Sequence, residues 1–322
     1  MTFRHSLRIV GLSAPIILLS ILAGMIAFGT GEAPPTMTSI SSPFTRVDFS
    51  KLPAIESFTA RDGARLAYRT YPADPKRIVV MVHGSSATSS SLHPLAMAVN
   101  AGGYTVYTLD IRGHGDSGIL GDIAYLGQLD DDVRDLVGFL RERQRDATLA
   151  LVGFSSGGGF VLRTAGGENG ALFDRYVLIS PALPYNAPTM RPNAGGWVTP
   201  HIPRIIGLTI LNNFGIHALD HLTTLAFAVD PNSRAKQTAS YSFALMQNFA
   251  AHADFQADIR NVSKPMRVLI GSDDALFYAD QFAPVFSTHR SDIPVTVLPG
   301  LDHIHMSLQP EALAAVVKAL ES

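Results

Sequence analysis

The chain has no cysteine among its 322 residues. A disulfide framework, a Cys-ligated zinc or iron–sulfur site and a cysteine nucleophile are therefore excluded. Charge is scarce too. Charged residues make up 16% of the chain and balance to a formal net charge of −2. A chain this neutral exerts no global pull on nucleic acid, so nucleic acid is not an expected partner. An apolar fraction of 47% excludes a largely disordered chain and is ample for a sizeable core.

The shortage of charge is sharpest near the N-terminus. Residues 9–31, between Arg8 and Glu32, carry none. About 20 helical residues cross a bilayer core of roughly 30 Å. Residues 1–31 are therefore expected to anchor the protein through a transmembrane helix, kinked at Pro15. Arg4 and Arg8 would hold the N-terminus in the cytoplasm and leave the rest of the chain outside. The alternative is a cleaved signal peptide and a secreted protein. The apolar stretch is long for that, and Ala27-Phe28-Gly29 is a poor cut site. A buried core helix is the third reading, disfavoured by its place at the extreme terminus. Residues 32–54 carry Pro34, Pro35, Pro43 and Pro53 among many Ser and Thr, and read as a linker.

From residue 55 to 322 a rhythm sets in. Residues 78–82, 104–109, 149–152, 176–179, 267–270 and 295–298 are short apolar runs, the pattern of strands buried on both faces. Asp62-Gly63 marks a hairpin before them. Residues 126–144 and 311–320 have helical spacing. Strands alternating with helices predict an α/β fold with a mostly parallel central sheet and flanking helices. Between the fourth and fifth strands the rhythm stops. Residues 212–229 and 235–253 read as apolar helices there, so a helical cap is expected at about 182–264.

Gly153-Phe154-Ser155-Ser156-Gly157 fits G-x-S-x-G and lies between a strand and a plausible helix start. A turn that tight strains its central residue, and small residues two positions either side avoid clashes. It would expose the Ser155 hydroxyl and aim the Ser156 N–H, at a helix N-terminus, toward developing negative charge. A serine nucleophile needs a base and a group to orient it. Strand 267–270 runs into Gly271-Ser272-Asp273-Asp274, and strand 295–298 into Pro299-Gly300-Leu301-Asp302-His303. Acid then histidine, after successive strands, is the order such a sheet requires. His83-Gly84-Ser85-Ser86 follows strand 78–82, and the Ser85 N–H is the second candidate oxyanion donor. His83 itself reads as structural.

Two rival motifs fail on context. Gly113-x-Gly115-x-x-Gly118 mimics a dinucleotide fingerprint, but Ile119-Leu120-Gly121 intervenes where a helix should open. His217-Ala218-Leu219-Asp220-His221 mimics a metal string without a third ligand.

His83-Gly84, Asp110-Ile111-Arg112-Gly113-His114-Gly115-Asp116-Ser117, the Ser155 pentapeptide, Gly271-Ser272-Asp273-Asp274 and Gly300-Leu301-Asp302-His303 together resemble the α/β-hydrolase family. The branch is that of lysophospholipases, monoacylglycerol lipases and S33-type serine aminopeptidases. The resemblance covers roughly residues 55–320 and does not extend to the N-terminal segment. It implies Ser155 as nucleophile, His303 rather than His305 as base, Asp274 rather than Asp273 as acid, and the Ser85 and Ser156 amides as oxyanion hole. It implies hydrolysis of a carboxylic ester through an acyl-enzyme, with no cofactor or metal, and is unspecific for substrate; the apolar cap suggests a lipophilic small-molecule ester. The alternatives are a peptidase, with Asp220, Asp230, Asp254 or Asp258 to hold an amine, and a non-catalytic binding module.

Overall fold

The computed structural model of the chain describes residues 16–230 and 236–321. An apolar helix, α1 (16–28), and a short helix, α2 (Thr38–Ser41), precede a hairpin of β1 (Glu56–Thr59) and β2 (Arg65–Tyr71). Strands and helices then alternate: β3 (Asp74–Val82), α3 (His93–Ala101), β4 (Tyr104–Leu109), α4 (Gln128–Arg143), β5 (Thr148–Phe154), α5 (Ser156–Gly166) and β6 (Arg175–Ile179). The inserted region holds α6 (Asn193–Gly196), β7 (Val198–Pro200), α7 (Ile202–Asn213), β8 (Thr223–Phe227), β9 (Ser240–Ser242), α8 (Phe243–Asn248) and α9 (Phe255–Asn261). β10 (Met266–Gly271), α10 (Phe282–His289), β11 (Val295–Leu298) and α11 (Pro310–Glu321) complete the chain.

Eight strands form the main sheet in the order β1-β2-β4-β3-β5-β6-β10-β11. The six strands from β4 to β11 pair in parallel, and β2 is antiparallel to β4. The hairpin forms at Asp62, whose carboxylate accepts from the Ala64 N–H at 3.1 Å. The uninterrupted apolar runs are explained by their two buried faces. In β3, Ile78, Val80 and Val82 join one core layer while Val79 and Met81 join the other. α4, α5, α9 and α10 cover the first face; α3 and α11 cover the second. The mostly parallel sheet with flanking helices is the α/β-hydrolase architecture the motifs imply.

The loop after β4 is fixed by ions. Buried Arg112 forks onto Asp132 of α4 at 2.7 and 2.8 Å and reaches Asp62 at 2.9 Å. The Asp110 carboxylate accepts from the Ser89 and Asp116 amides at 2.7 and 2.9 Å. Gly113, Gly115 and Gly118 thus belong to a loop folded around Asp110 and Arg112.

Three expectations change. The insertion is not wholly helical: β7, β8 and β9 form a small antiparallel sheet. Residues 223–227, expected in a helix, are β-branched and aromatic enough to extend. The long helix α7 begins earlier, with Pro203 at its first turn, a position where the missing N–H costs nothing. Residues 32–54 do not hang free as a linker. The Met37 N–H donates to Ala228 O at 3.0 Å, and Met37 and Ile40 pack on the core. Apolar residues at 37, 40 and 44, at helical spacing, outweigh the surrounding prolines.

The expected anchor 9–31 lies partly outside the described residues. Among the described residues no helix is long and apolar enough to cross a membrane. α1 ends at residue 28, and its last turn docks on the insertion. Ile26 is buried with Leu208 and Phe243. The Arg204 guanidinium donates to Ile26 O at 2.7 Å and Ala27 O at 3.2 Å, satisfying carbonyls that a helix end leaves orphaned. Burying one isoleucine is worth about 1.5–3 kcal/mol, so this end belongs to the fold.

Arg112→Ala would strand the Asp132 carboxylate in the core. Equilibrium urea unfolding should show a loss of about 3–5 kcal/mol; a loss below about 1 kcal/mol would mean the network is not a support.

Candidate active site

β5 delivers the elbow. Ser155 sits between Phe154, the last residue of β5, and α5 with φ 56° and ψ −120°. Such a backbone costs about 1–3 kcal/mol in a non-glycine residue and persists only where its surroundings enforce it. They do so here. The Ser155 N–H donates to Ile179 O at 2.9 Å, and its carbonyl accepts from the Gly159 and Ala182 amides at 3.1 and 2.9 Å. Any Cβ at Gly153 would lie 2.2 Å from Gly157 O, and one at Gly157 would lie 2.4 Å from His83 O. The two glycines are therefore steric requirements of the turn.

The C-terminal ends of β10 and β11 supply the other two groups. His303 Nδ1 donates to Asp274 Oδ2 at 2.7 Å, which leaves Nε2 as the basic nitrogen. Asp274 Oδ1 accepts from the Leu276 and Phe277 amides at 2.9 and 3.0 Å. Burial pushes the Asp274 carboxyl up, but the His303 charge and these hydrogen bonds outweigh it, and its pKa lies below the usual value. Phe154 and Phe277 flank the imidazole, with ring centroids 4.9 and 5.1 Å away. The rival residues are engaged locally: Asp273 accepts from the Ser272 hydroxyl at 2.7 Å, and His305 pairs with Asp302 at 2.8 Å. Ser155 and His303 line one cavity of about 600 Å³, within the range of small-molecule sites.

The loop after β3 forms another wall. A Cβ at Gly84 would lie 3.1 Å from the Ser155 Cβ, so the backbone passes directly over the nucleophile. The Ser86 N–H is committed to the Tyr241 hydroxyl at 2.8 Å, and the Ser85 hydroxyl accepts from Trp197 Nε1 at 2.8 Å. The Ser85 amide follows the Gly84 backbone that passes over Ser155, and the Ser156 amide is the first of α5; these are the two amides the sequence pointed to as donors. Tyr241 also contacts His114 Nε2 at 2.6 Å, and His114 stacks edge-on against His83. Burial pushes both imidazoles below their usual pKa, so they stay neutral. His83 donates from Nδ1 to Gly84 O at 2.7 Å and accepts the Ile111 N–H at 3.3 Å, a structural role.

Trp197 and Tyr241 were not anticipated. They lie about 110 and 155 positions from the loop they hold, in the part of the chain where no motif repeats. In the string 217–221 that only mimics a metal motif, His217 bonds Asn212 and Asp220 at 2.8 and 3.1 Å. Among the described residues no cluster of His, Asp and Glu is placed to hold a metal.

Because its folded pKa is lowered, Asp274 stabilises the fold above the usual carboxylate range, and that contribution is lost as pH falls through the lowered value. Asp274→Asn should therefore lower the urea midpoint near pH 7, with the gap to wild type narrowing below about pH 4. Asp273→Asn should show little of either effect; equal behaviour of the two variants would reject the pairing.

Comparison with known proteins bears on the fold and the family. A monoacylglycerol lipase of Mycolicibacterium smegmatis is 33% identical over 132 residues, 39% of this chain and 46% of that protein. The chain thus matches about half the length of this curated relative. The crystal structure of a soluble variant of monoglyceride lipase from Saccharomyces cerevisiae superposes with a TM-score of 0.64 at 17% identity, over 86% of this chain and 96% of that one. The monoacylglycerol lipase of Paleococcus ferrophilus gives 0.58 at 18% identity, over 79% and 98%. At these identities the two structures show the fold alone. The family described as serine aminopeptidase, S33, matches residues 73–307, which is more than half of the chain, and the protein belongs to that family.

Proposed function

We propose that the protein is a serine hydrolase that cleaves carboxylic esters of lipophilic acids. The observation that carries this reading is the strained Ser155 in one cavity with His303, which is paired to Asp274 behind it, between walls that include Phe154, Trp197, Leu276 and Ile304. In the mechanism, Ser155 Oγ attacks the carbonyl carbon as His303 Nε2 takes its proton. The Ser85 and Ser156 amides receive the oxyanion, and Asp274 stabilises the imidazolium. The tetrahedral adduct collapses to an acyl-enzyme, and His303 protonates the departing alcohol. Water, deprotonated by His303, then releases the acid. The monoacylglycerol lipase relative supports an ester of this kind.

One observation favours an aminopeptidase instead. Asp230 lines the cavity, where a carboxylate would suit a substrate amine. Asp220, Asp254 and Asp258 are placed otherwise: on Asn212, at the start of α9, and on His252. The cavity offers far more apolar wall than acid, so the ester reading stands first.

The setting of the enzyme is proposed from the sequence. The uncharged run behind Arg4 and Arg8, up to the turn where Ile26 docks on the insertion, supports attachment to a membrane with the hydrolase domain outside the cytoplasm. Loss of this segment by cleavage near residue 30 would strip Ile26 from Leu208 and Phe243, which favours its retention. Full-length protein should stay with membranes through carbonate washing; recovery in the supernatant with a mature N-terminus near residue 30 would establish secretion.

Ser155→Ala should lower kcat by about 10⁴-fold or more with the fold unchanged. A panel of p-nitrophenyl esters beside aminoacyl anilides tests the class: faster turnover of anilides than of esters would replace this reading by the peptidase.

A further inference from the structure

The cavity has a wall that the family match does not include. The matched residues begin at 73, yet Ile40, Phe44 and Phe49 line the same cavity as Ser155 and His303. α2 runs directly into a 3-10 turn, Ser42–Arg46, so Ile40 and Phe44 lie four residues apart on one helical side. Both are packed against the core layers. The Phe49 ring stands 5.8 Å from that of His93.

The segment is held at both ends. Its start is bonded to the cap, Met37 N–H to Ala228 O at 3.0 Å. Just beyond its end, Arg69 of β2 donates to the Pro53 carbonyl. It therefore spans from cap to core as a strap along the cavity. A strap fixed at both ends presents its side chains at a set distance from the nucleophile.

We infer that residues 37–49 gauge the acyl chain, with Ile40, Phe44 and Phe49 forming the apolar wall against which the part of the chain distant from the ester carbonyl packs. The inference rests on the ester-hydrolase reading of the site. The wall is apolar where it faces the cavity through these three side chains, while Ser41, Ser42 and Thr45 add hydroxyls around them. Each methylene moved from water to such a wall is worth about 0.8 kcal/mol, roughly fourfold in kcat/KM. Preference for longer acyl groups should therefore reside in a segment outside the family-matched part of the chain. The strap lies apart from the groups that react, so trimming it should spare short substrates.

The test uses full-length protein and p-nitrophenyl esters from acetate to dodecanoate. In wild type, kcat/KM should rise with chain length up to a cut-off. Ile40→Ala and Phe44→Ala should each lower kcat/KM for the preferred long ester by about tenfold or more, with acetate within twofold of wild type. Ile40→Trp should move the optimum to shorter esters. A parallel fall for acetate and long esters in variants that unfold at the wild-type temperature would overturn the inference, as would an unchanged chain-length profile. Fluorophosphonates with short and long alkyl chains provide a readout at Ser155 that does not require ester turnover. If labelling prefers the long probe and Phe44→Ala abolishes that preference, the strap assignment holds even where no ester is turned over. If no ester is hydrolysed and neither probe labels Ser155, the ester-hydrolase reading falls and the inference with it.

Discussion

Everything at the site depends on one enforced backbone conformation, the positive φ of Ser155. A residue with a side chain adopts it only under compulsion, and the compulsion comes from the parallel sheet. β5 is paired on both sides, with β3 and β6, so its end cannot relax sideways. α5 must start at once, and the carbonyls of Val82 and His83 press so closely on its first turn that position 157 admits no Cβ. The strain at Ser155 is offset by packing that extends through both core layers. Its result is a hydroxyl lifted out of the chain path at the start of a helix, where unpaired amides already point.

The other active-site groups are held by polar contacts from distant parts of the chain. Asp274 receives two amides from its own loop and thereby orients His303. The loop carrying Gly84 and Ser85 is held from the cap, through Tyr241 and Trp197. The loop of residues 110–117 is closed around the Asp110 carboxylate and braced by Arg112. Cap and core are thus one polar assembly around the nucleophile. The cap does more than cover the site, because through Tyr241 and Trp197 it fixes the Ser86 amide and the Ser85 hydroxyl in the loop that passes over Ser155.

The parts legible in the sequence are those whose physics is local. The two-face burial of β3, β5, β6 and β10 leaves continuous apolar runs, and the strand-to-helix turn demands glycines at fixed offsets. The order of Asp274 and His303 follows from strands ending on one side of the sheet. What stayed hidden depends on partners remote in sequence. β8 carries apolar residues that also suit a helix, and only pairing with β7 and β9 decides for a strand. Residues 32–54 read as a linker because proline and serine dominate their composition, while the few side chains that dock, Met37, Ile40 and Phe44, are diluted among them. Trp197 and Tyr241 have meaning only once the cap is folded over the Ser85 loop.

The N-terminal segment therefore divides the labour of the molecule in an unusual place. The residues proposed to carry the chemistry, from Ser85 to His303, all lie within the family-matched stretch. The walls of the cavity do not. α1 packs on α7 through Ile26 and Arg204, and the strap leads from there past the cap strand end at Ala228 to the core at Pro53. The Met37–Ala228 bond ties this segment to the cap, and Ile40, Phe44 and Phe49 bring it to the cavity that holds Ser155. The strain that activates Ser155 belongs to the sheet, whereas the shape offered to the acyl group is set partly by chain that precedes the sheet. Selection acting on residues 37–49 can therefore retune what the enzyme accepts without disturbing the backbone that makes it an enzyme.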